Sequence, residues 1–221
     1  MKIGVYGCSF TYGAYPLWIS WVKKASELYP QHDWYNHSFS GISNNTILYM
    51  FEHFKHNYDI NIVKLTSSSR VTFIDPDWQF EHSLRQPDGN NYWVFDREEV
   101  RNKLIRITPS SISLWETDKN YKRWEDYQRL TYENFNNKQY MLEYNIISDY
   151  MKQNAQLVYA HKDYAGPRTT GVVKPLDWTI HDKLGSIVFD SYVIDEGLHF
   201  NEQGAEHEAT LVYNKIKAYI K

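Results

Sequence analysis

Hydrophobic positions along the first third of the chain alternate between two periods. Residues 2–8 (KIGVYGC) form a short, nearly continuous apolar run ending at a glycine-bounded turn, the pattern of a buried strand. From Pro16 to about Tyr29, Leu17, Trp21, Val22, Ala25 and Leu28 fall at helical spacing. Pro16 suits a first helical turn, where its missing N–H is no loss. Residues 33–39 (DWYNHSF) predict a second strand. Ser43 or Asn44 then caps a helix in which Ile47, Phe51 and Phe54 share one face. Residues 60–66 (INIVKLT) predict a third strand. Strands alternating with helices imply parallel pairing and right-handed crossovers, hence a three-layer α/β/α sandwich with a mostly parallel sheet.

Periodicity is weak over 67–125, where Tyr, Trp, Pro and Asp residues crowd together. That stretch reads as a long insertion after the third strand, carrying short helices. Insertions of this length in a compact domain usually form functional loops or lids. Helical order returns over about 124–154, with Tyr140, Tyr144, Ile147 and Met151 spaced by three and four. Residues 156–161 (QLVYAH) predict a fourth strand, and 162–184, with Gly166-Pro167, Gly171 and Pro175, a second insertion loop. Residues 186–193 are rich in β-formers and read as a fifth strand or an extended arm. A helix over about 202–220 closes the chain, its apolar stripe made of Ala205, Ala209, Val212, Ile216 and Tyr219. With no repeat, low-complexity tract or linker, residues 1–221 are expected to form a single domain.

Composition narrows the function classes. A net charge of −3 lacks the basic footprint of a general nucleic-acid binder. The aromatic share, 17%, is high, and such rings can fill a core, line a sugar or acyl cleft, or form a subunit interface. Cys8 is the one cysteine, so no intrachain disulfide can form, which suits a reducing compartment. The apolar run after Met1 is too short for a secretory signal, and no run approaches the roughly 18 apolar residues of a membrane span. A soluble, cytoplasmic protein with neither nucleic acid nor membrane as partner is the expectation.

Three segments carry chemistry. Gly7-Cys8-Ser9-Phe10-Thr11-Tyr12-Gly13 ends the first strand, and ligands of parallel α/β sheets bind at the carboxyl ends of strands. A serine in that turn is exposed, and the helix start behind it offers N–H groups to a developing oxyanion. Ser40-Gly41-Ile42-Ser43-Asn44-Asn45 comes after the second strand, where Gly41 allows close backbone approach or a positive φ. Asp195-Glu196-Gly197-Leu198-His199-Phe200-Asn201 precedes the last helix and sets acids beside a histidine. A serine nucleophile needs a base, and the base an orienting acid.

Gly-x-Ser near the start, a glycine after the second strand, and acid-x-x-His followed by Asn-x-x-Gly before the last helix resemble, in chain order, blocks I, II and V of the SGNH (GDSL-like) hydrolases. The resemblance implies a flavodoxin-like α/β/α fold and hydrolysis of an ester, often an acetyl or acyl group on a sugar or lipid. It further implies that Ser9 attacks, that His199 acts as base and then acid, and that the N–H groups of Ser9 and Gly41 bind the oxyanion. No cofactor or metal is required. Two departures stand out. The acid three residues before His199 is Glu196 where the family usually has Asp; register favours Glu196, with Asp195 as the alternative. Block III normally offers an Asn side chain, whereas this chain has Leu65-Thr66-Ser67-Ser68-Ser69-Arg70, with Thr66 at the Gly and Ser68 at the Asn position. Loss of one such donor costs about 100- to 1,000-fold in related chemistry. Ser68 or another hydroxyl substitutes, Asn44 or Asn45 reaches across, or catalysis is slow or absent. Arg70 reads either as a partner for an anionic substrate group or as half of a surface salt bridge.

Two rival assignments fall short. Successive strand residues face opposite ways, which argues against Cys8 sharing the cleft with Ser9, so Cys8 reads as buried packing. His199, Glu202, Glu206 and His207 lack the compact pairing of a metal site. The main alternative is a non-catalytic SGNH-like module binding a glycan or protein through Phe73, Trp78, Phe80, Tyr92, Trp93, Phe95 and Trp178.

Overall fold

A computed structural model describes residues 1–13, 19–66, 71–75, 77–78, 83–87, 90–101, 103–107, 137–160 and 201–220. The expected parallel core is present. Strands β1 (Lys2–Tyr6), β2 (Asp33–Asn36) and β3 (Ile60–Leu65) are joined by α1 (Ser9–Tyr12), α2 (Trp21–Leu28) and α3 (Asn44–Phe54). Next come β4 (Val71–Ile74), β5 (Leu84–Arg85), β6 (Tyr92–Phe95), α4 (Arg97–Arg101) and β7 (Leu104–Ile107). Helix α5 (Asn137–Asn154), β8 (Leu157–Ala160) and α6 (Glu202–Ile216) complete the order. The main sheet runs β5-β6-β2-β1-β3-β8, and every pairing in it is parallel except β5 with β6. β4 and β7 form a separate antiparallel pair.

Each face of the sheet is covered by helices. Ile3, Val5, Ile60 and Ile62 pack against Trp21, Val22 and Ala25 of α2 and Ala205, Ala209, Val212 and Ile216 of α6. Tyr6, Val63, Leu65 and Val158 pack against Ile47, Met50, Phe51 and Phe54 of α3 and Tyr144, Ile147 and Met151 of α5. Burying one such aliphatic or aromatic side chain contributes about 1.5–3 kcal/mol, so these stripes dominate the stability of the layers. The three-layer α/β/α sandwich and its mostly parallel sheet therefore match the expectation.

Several boundaries move for identifiable reasons. Helix α2 begins at Trp21 because the Ser20 hydroxyl accepts hydrogen bonds from the N–H groups of Val22 and Lys23. β2 stops at Asn36 rather than running to residue 39, because the Asn36 Oδ1 accepts the Ser38 N–H at 3.1 Å and closes a local turn. Leu28 and Tyr219, expected in apolar stripes, are 41% and 51% exposed; Leu28 is the last residue of α2, and Tyr219 lies in the short turn after α6 ends. The middle of the chain holds more strand than expected. Tyr92–Phe95 joins the main sheet beside β2, and Trp78, Tyr92 and Phe95 are buried in the two cores. A four-residue run is too short for its period to declare itself. The second insertion (162–184) and the fifth-strand region (186–193) lie outside the described residues. No helix among the described residues is long and apolar enough to cross a membrane.

Candidate active site

β1 lies between β2 and β3, so the chain leaves it toward one side and later returns on the other. The crevice at the carboxyl end of such a strand is where open α/β sheets bind ligands. Ser9 stands there, in the single turn α1, with Cys8 as its N-cap; against the exposed serine expected for this turn, it is buried, at 4% exposure. Cys8 O accepts from the N–H groups of Thr11 and Tyr12 at 2.9 and 3.0 Å. The first N–H groups of a helix have no partner within it, and here they belong to Ser9 and its neighbour. One turn carries little macrodipole; what it supplies is the direction of those N–H groups.

The glycines of this motif have a steric cause. A Cβ on Gly7 would lie 2.4 Å from Thr11 Oγ1 and 3.3 Å from Lys64 O, so the turn closes over β3 only without a side chain. Gly41, after β2, has φ 79°, a left-handed conformation that favours glycine. The two turns are adjacent: Phe39 N–H donates to Gly7 O at 3.3 Å, with Ser9 and Gly41 each two residues further on.

A polar network with no local signature in the sequence holds this corner. The Asn36 amide donates to Thr11 O at 3.0 Å, Ser20 Oγ at 3.3 Å and Tyr92 Oη at 3.1 Å, while its oxygen takes the Ser38 N–H. One buried side chain thus ties the Ser9 turn, the cap of α2, β6 and the turn after β2. Asparagine at a strand end signals a turn from sequence, but not four partners spread over the fold. Ser20 Oγ adds a 2.6 Å bond to the same Thr11 O. Tyr12, its hydroxyl pushed up to about 12 by burial and the neighbouring Tyr92, remains a donor and bonds Phe95 O at 3.2 Å.

Asn44 turns out to face the end of β3. Its Nδ2 donates to Thr66 O at 2.9 Å and its Oδ1 accepts Thr66 N–H at 2.8 Å, a two-point clamp between the start of α3 and the end of β3. Asn45 donates to Glu143 of α5, away from that clamp. Ser43 caps α3 by accepting from Thr46 N–H, and its own N–H donates to Thr72 Oγ1 at 2.8 Å. Thr11 Oγ1 and Thr66 Oγ1 are both buried without a hydrogen-bond partner among the described residues. Cys8 is buried.

Asp195, Glu196 and His199 lie outside the described residues, as do Ser68 and Arg70. Two residues beyond the histidine, Asn201 caps α6, its Oδ1 accepting Gly204 N–H at 2.9 Å, which is the physical content of Asn-x-x-Gly. Glu202 at the start of α6 pairs with Lys24 of α2 at 2.5 Å. Among the described residues no group of three His, Cys, Asp or Glu side chains is placed to hold a metal ion. At the end of the Ser9 turn, a cavity of about 390 Å³ is lined by Tyr12, Gly13, Ile19, Ser20, Lys23, Lys24, Glu27, Tyr92 and Val94.

Fold and site together define an α/β protein with a serine-bearing turn at the switch point of a mostly parallel sheet. No family model matches the sequence, and no curated protein matches it. Among solved structures, the chain is similar to the psychrotrophic esterase EstA from a Pseudoalteromonas species, in a structure inhibited by monoethylphosphonate. The TM-score is 0.46 at 12% identity, covering 99% of this chain and 98% of that one. It is also similar to a family 3 carbohydrate esterase of Clostridium thermocellum, with a TM-score of 0.39 at 13% identity over 99% and 96% of the chains. At this distance the chemistry has to be read from the chain's own residues.

Proposed function

We propose that the protein is a serine-dependent hydrolase of a small ester, an acetyl or acyl ester of a carbohydrate or similar polar molecule. Ser9 is the nucleophile and His199 its general base, oriented by Glu196 or Asp195. The observation that carries the reading is Ser9 at the start of a helical turn, at the carboxyl end of the switch-point strand, beside a positive-φ Gly41. Attack by Ser9 Oγ on the carbonyl would send its proton to His199 and its negative charge toward the Ser9 and Gly41 N–H groups. His199 then returns the proton to the leaving alkoxide, and water repeats the sequence to free the acid. Ser68 is the proposed third donor. Arg70 would meet an anionic substituent, and Asn44 serves by holding the segment after Gly41 to Thr66 at the end of β3. The cavity next to Tyr12 and Gly13, where Ser20, Lys23, Lys24 and Glu27 line the wall beside Ile19 and Val94, is the proposed place for a polyhydroxyl leaving group.

The glycan- or protein-binding alternative loses support from the described aromatic side chains. Trp78, Tyr92 and Phe95 are core residues, and Trp93 is half-buried, stacked on Tyr35 at 4.5 Å. Hydrolysis of p-nitrophenyl acetate and acetylated sugars by wild type and Ser9→Ala decides the matter. Wild type should turn over and Ser9→Ala should fall to the buffer rate; equal rates for the two proteins would sink the assignment.

A further inference from the structure

The face of the sheet under α6 is mostly apolar but carries a buried ion pair. Lys64 on β3 and Glu208 on α6 are fully buried and paired, Nζ to Oε1 at 2.6 Å. Tyr159 on β8 donates its hydroxyl to the same Oε1 at 2.7 Å, and its ring lies 5.5 Å from the lysine Nζ. Burial first, and then the Glu208 carboxylate, hold the Tyr159 hydroxyl well above its ordinary range, so it stays a donor. Glu208 Oε2 has no hydrogen-bond partner among the described residues. Taking two charges out of water is expensive, and a hydrophobic pair of similar volume often does as well for stability. A buried pair of this kind is best accounted for by what it aligns.

From these contacts we infer that Lys64, Glu208 and Tyr159 are positioning residues for the proposed general base, an inference that rests on the Ser9–His199 reading. Both ends of the cluster lead to that site. Lys64 lies level with Gly7, since Tyr6 pairs with Val63, and its carbonyl would be 3.3 Å from a Cβ on Gly7. At the other end, Glu208 is in the second turn of α6, whose cap Asn201 comes two residues after His199 in the chain. Elsewhere α6 is seated on the sheet through Ala205, Ala209, Val212 and Ile216, with Tyr213 stacked on Tyr29 at 3.5 Å and Glu202 paired with Lys24 on the α2 side. A carboxylate gripped by an ammonium and a phenol has one low-energy position, and among these contacts it is the one that ties the second turn of α6 to β3 and β8, beside the strand that leads into the Ser9 turn.

The test compares wild type, Lys64→Met/Glu208→Leu and Tyr159→Phe in p-nitrophenyl acetate hydrolysis, with thermal unfolding measured alongside. The double variant replaces the pair with apolar groups and should unfold near the wild-type temperature. Its kcat should nevertheless drop about 100-fold at an unchanged KM, the scale of a 1 Å misplacement of a catalytic group. Tyr159→Phe, which removes one hydroxyl and keeps the ring, should lower kcat by less, again without moving KM. Wild-type kcat in a stable double variant, or a change confined to KM, overturns the inference. Should the double variant fail to fold, an undiminished kcat in Tyr159→Phe overturns it alone. Wild type no faster than Ser9→Ala is a separate failure, that of the hydrolase reading itself.

Discussion

The two faces of the sheet bury titratable groups in opposite ways. Under α2 and α6, Lys64 and Glu208 stay together as a pair, each cancelling the other's charge. Under α3, His37 is fully buried between Tyr6 and Phe54, with ring centroids 5.2 and 4.2 Å away, and its Nε2 bonds Tyr58 Oη at 2.6 Å. No acid accompanies it there among the described residues. Desolvation, with a smaller push from His53, lowers its pKa to about 3, so it stays neutral. A buried group without a counter-charge gives up its own charge; one with a partner can keep it. The neutral histidine lies in an aromatic core and fills space. The charged pair joins β3, the neighbour of the strand that leads into the Ser9 turn, to the helix that follows His199 in the chain.

Removing one half of the charged pair should have the largest effect. Lys64→Met leaves the Glu208 carboxylate uncompensated and should cost about 3–5 kcal/mol in urea unfolding. A loss below about 1 kcal/mol would mean that water reaches the pair.

Acid should separate the faces next. His37 has a folded pKa below its ordinary 6.5, so the unfolded chain takes up the proton first. Its effect on stability is nil above about pH 6.5, and stability falls as pH drops below that, by about 1.4 kcal/mol per unit toward pH 3. Between pH 6.5 and 5 that amounts to about 2 kcal/mol. His37→Phe should show a pH dependence flatter by that amount, and parallel curves would remove the histidine from the explanation. At pH 7.5 the same variant should lose only about 1 kcal/mol, chiefly for the Tyr58 hydroxyl left without its hydrogen-bond partner. A loss as large as that of Lys64→Met would erase the contrast between the faces. The smallest effect belongs to the partly exposed ion pair between α2 and α6. Lys24→Ala should change stability by less than about 1 kcal/mol, and by less still in high salt.

Much of this architecture was legible in the chain. Apolar runs of six or seven residues marked β1 and β3, and helical spacing marked the buried faces of α3, α5 and α6. The order of glycine, serine and histidine segments directed attention to the crevice beside β1. Such patterns are local, because a helix or strand repeats its buried face every few residues, whatever it packs against.

Other features depended on contacts between distant residues, and only the tertiary structure decided them. Tyr92–Phe95 became a strand of the main sheet because β2 offered it a parallel edge. Asn36 became the centre of the Ser9 corner because Thr11, Ser20 and Tyr92 converge on it. Asn44, expected near substrate, is engaged with both backbone groups of Thr66. Lys64, which reads as an ordinary polar residue in a strand, is fully buried because Glu208 meets it across 144 residues of sequence. A lone polar letter does not say whether water or a distant partner satisfies it; the folded chain supplies that partner, and with it the link from the sheet to the helix behind His199.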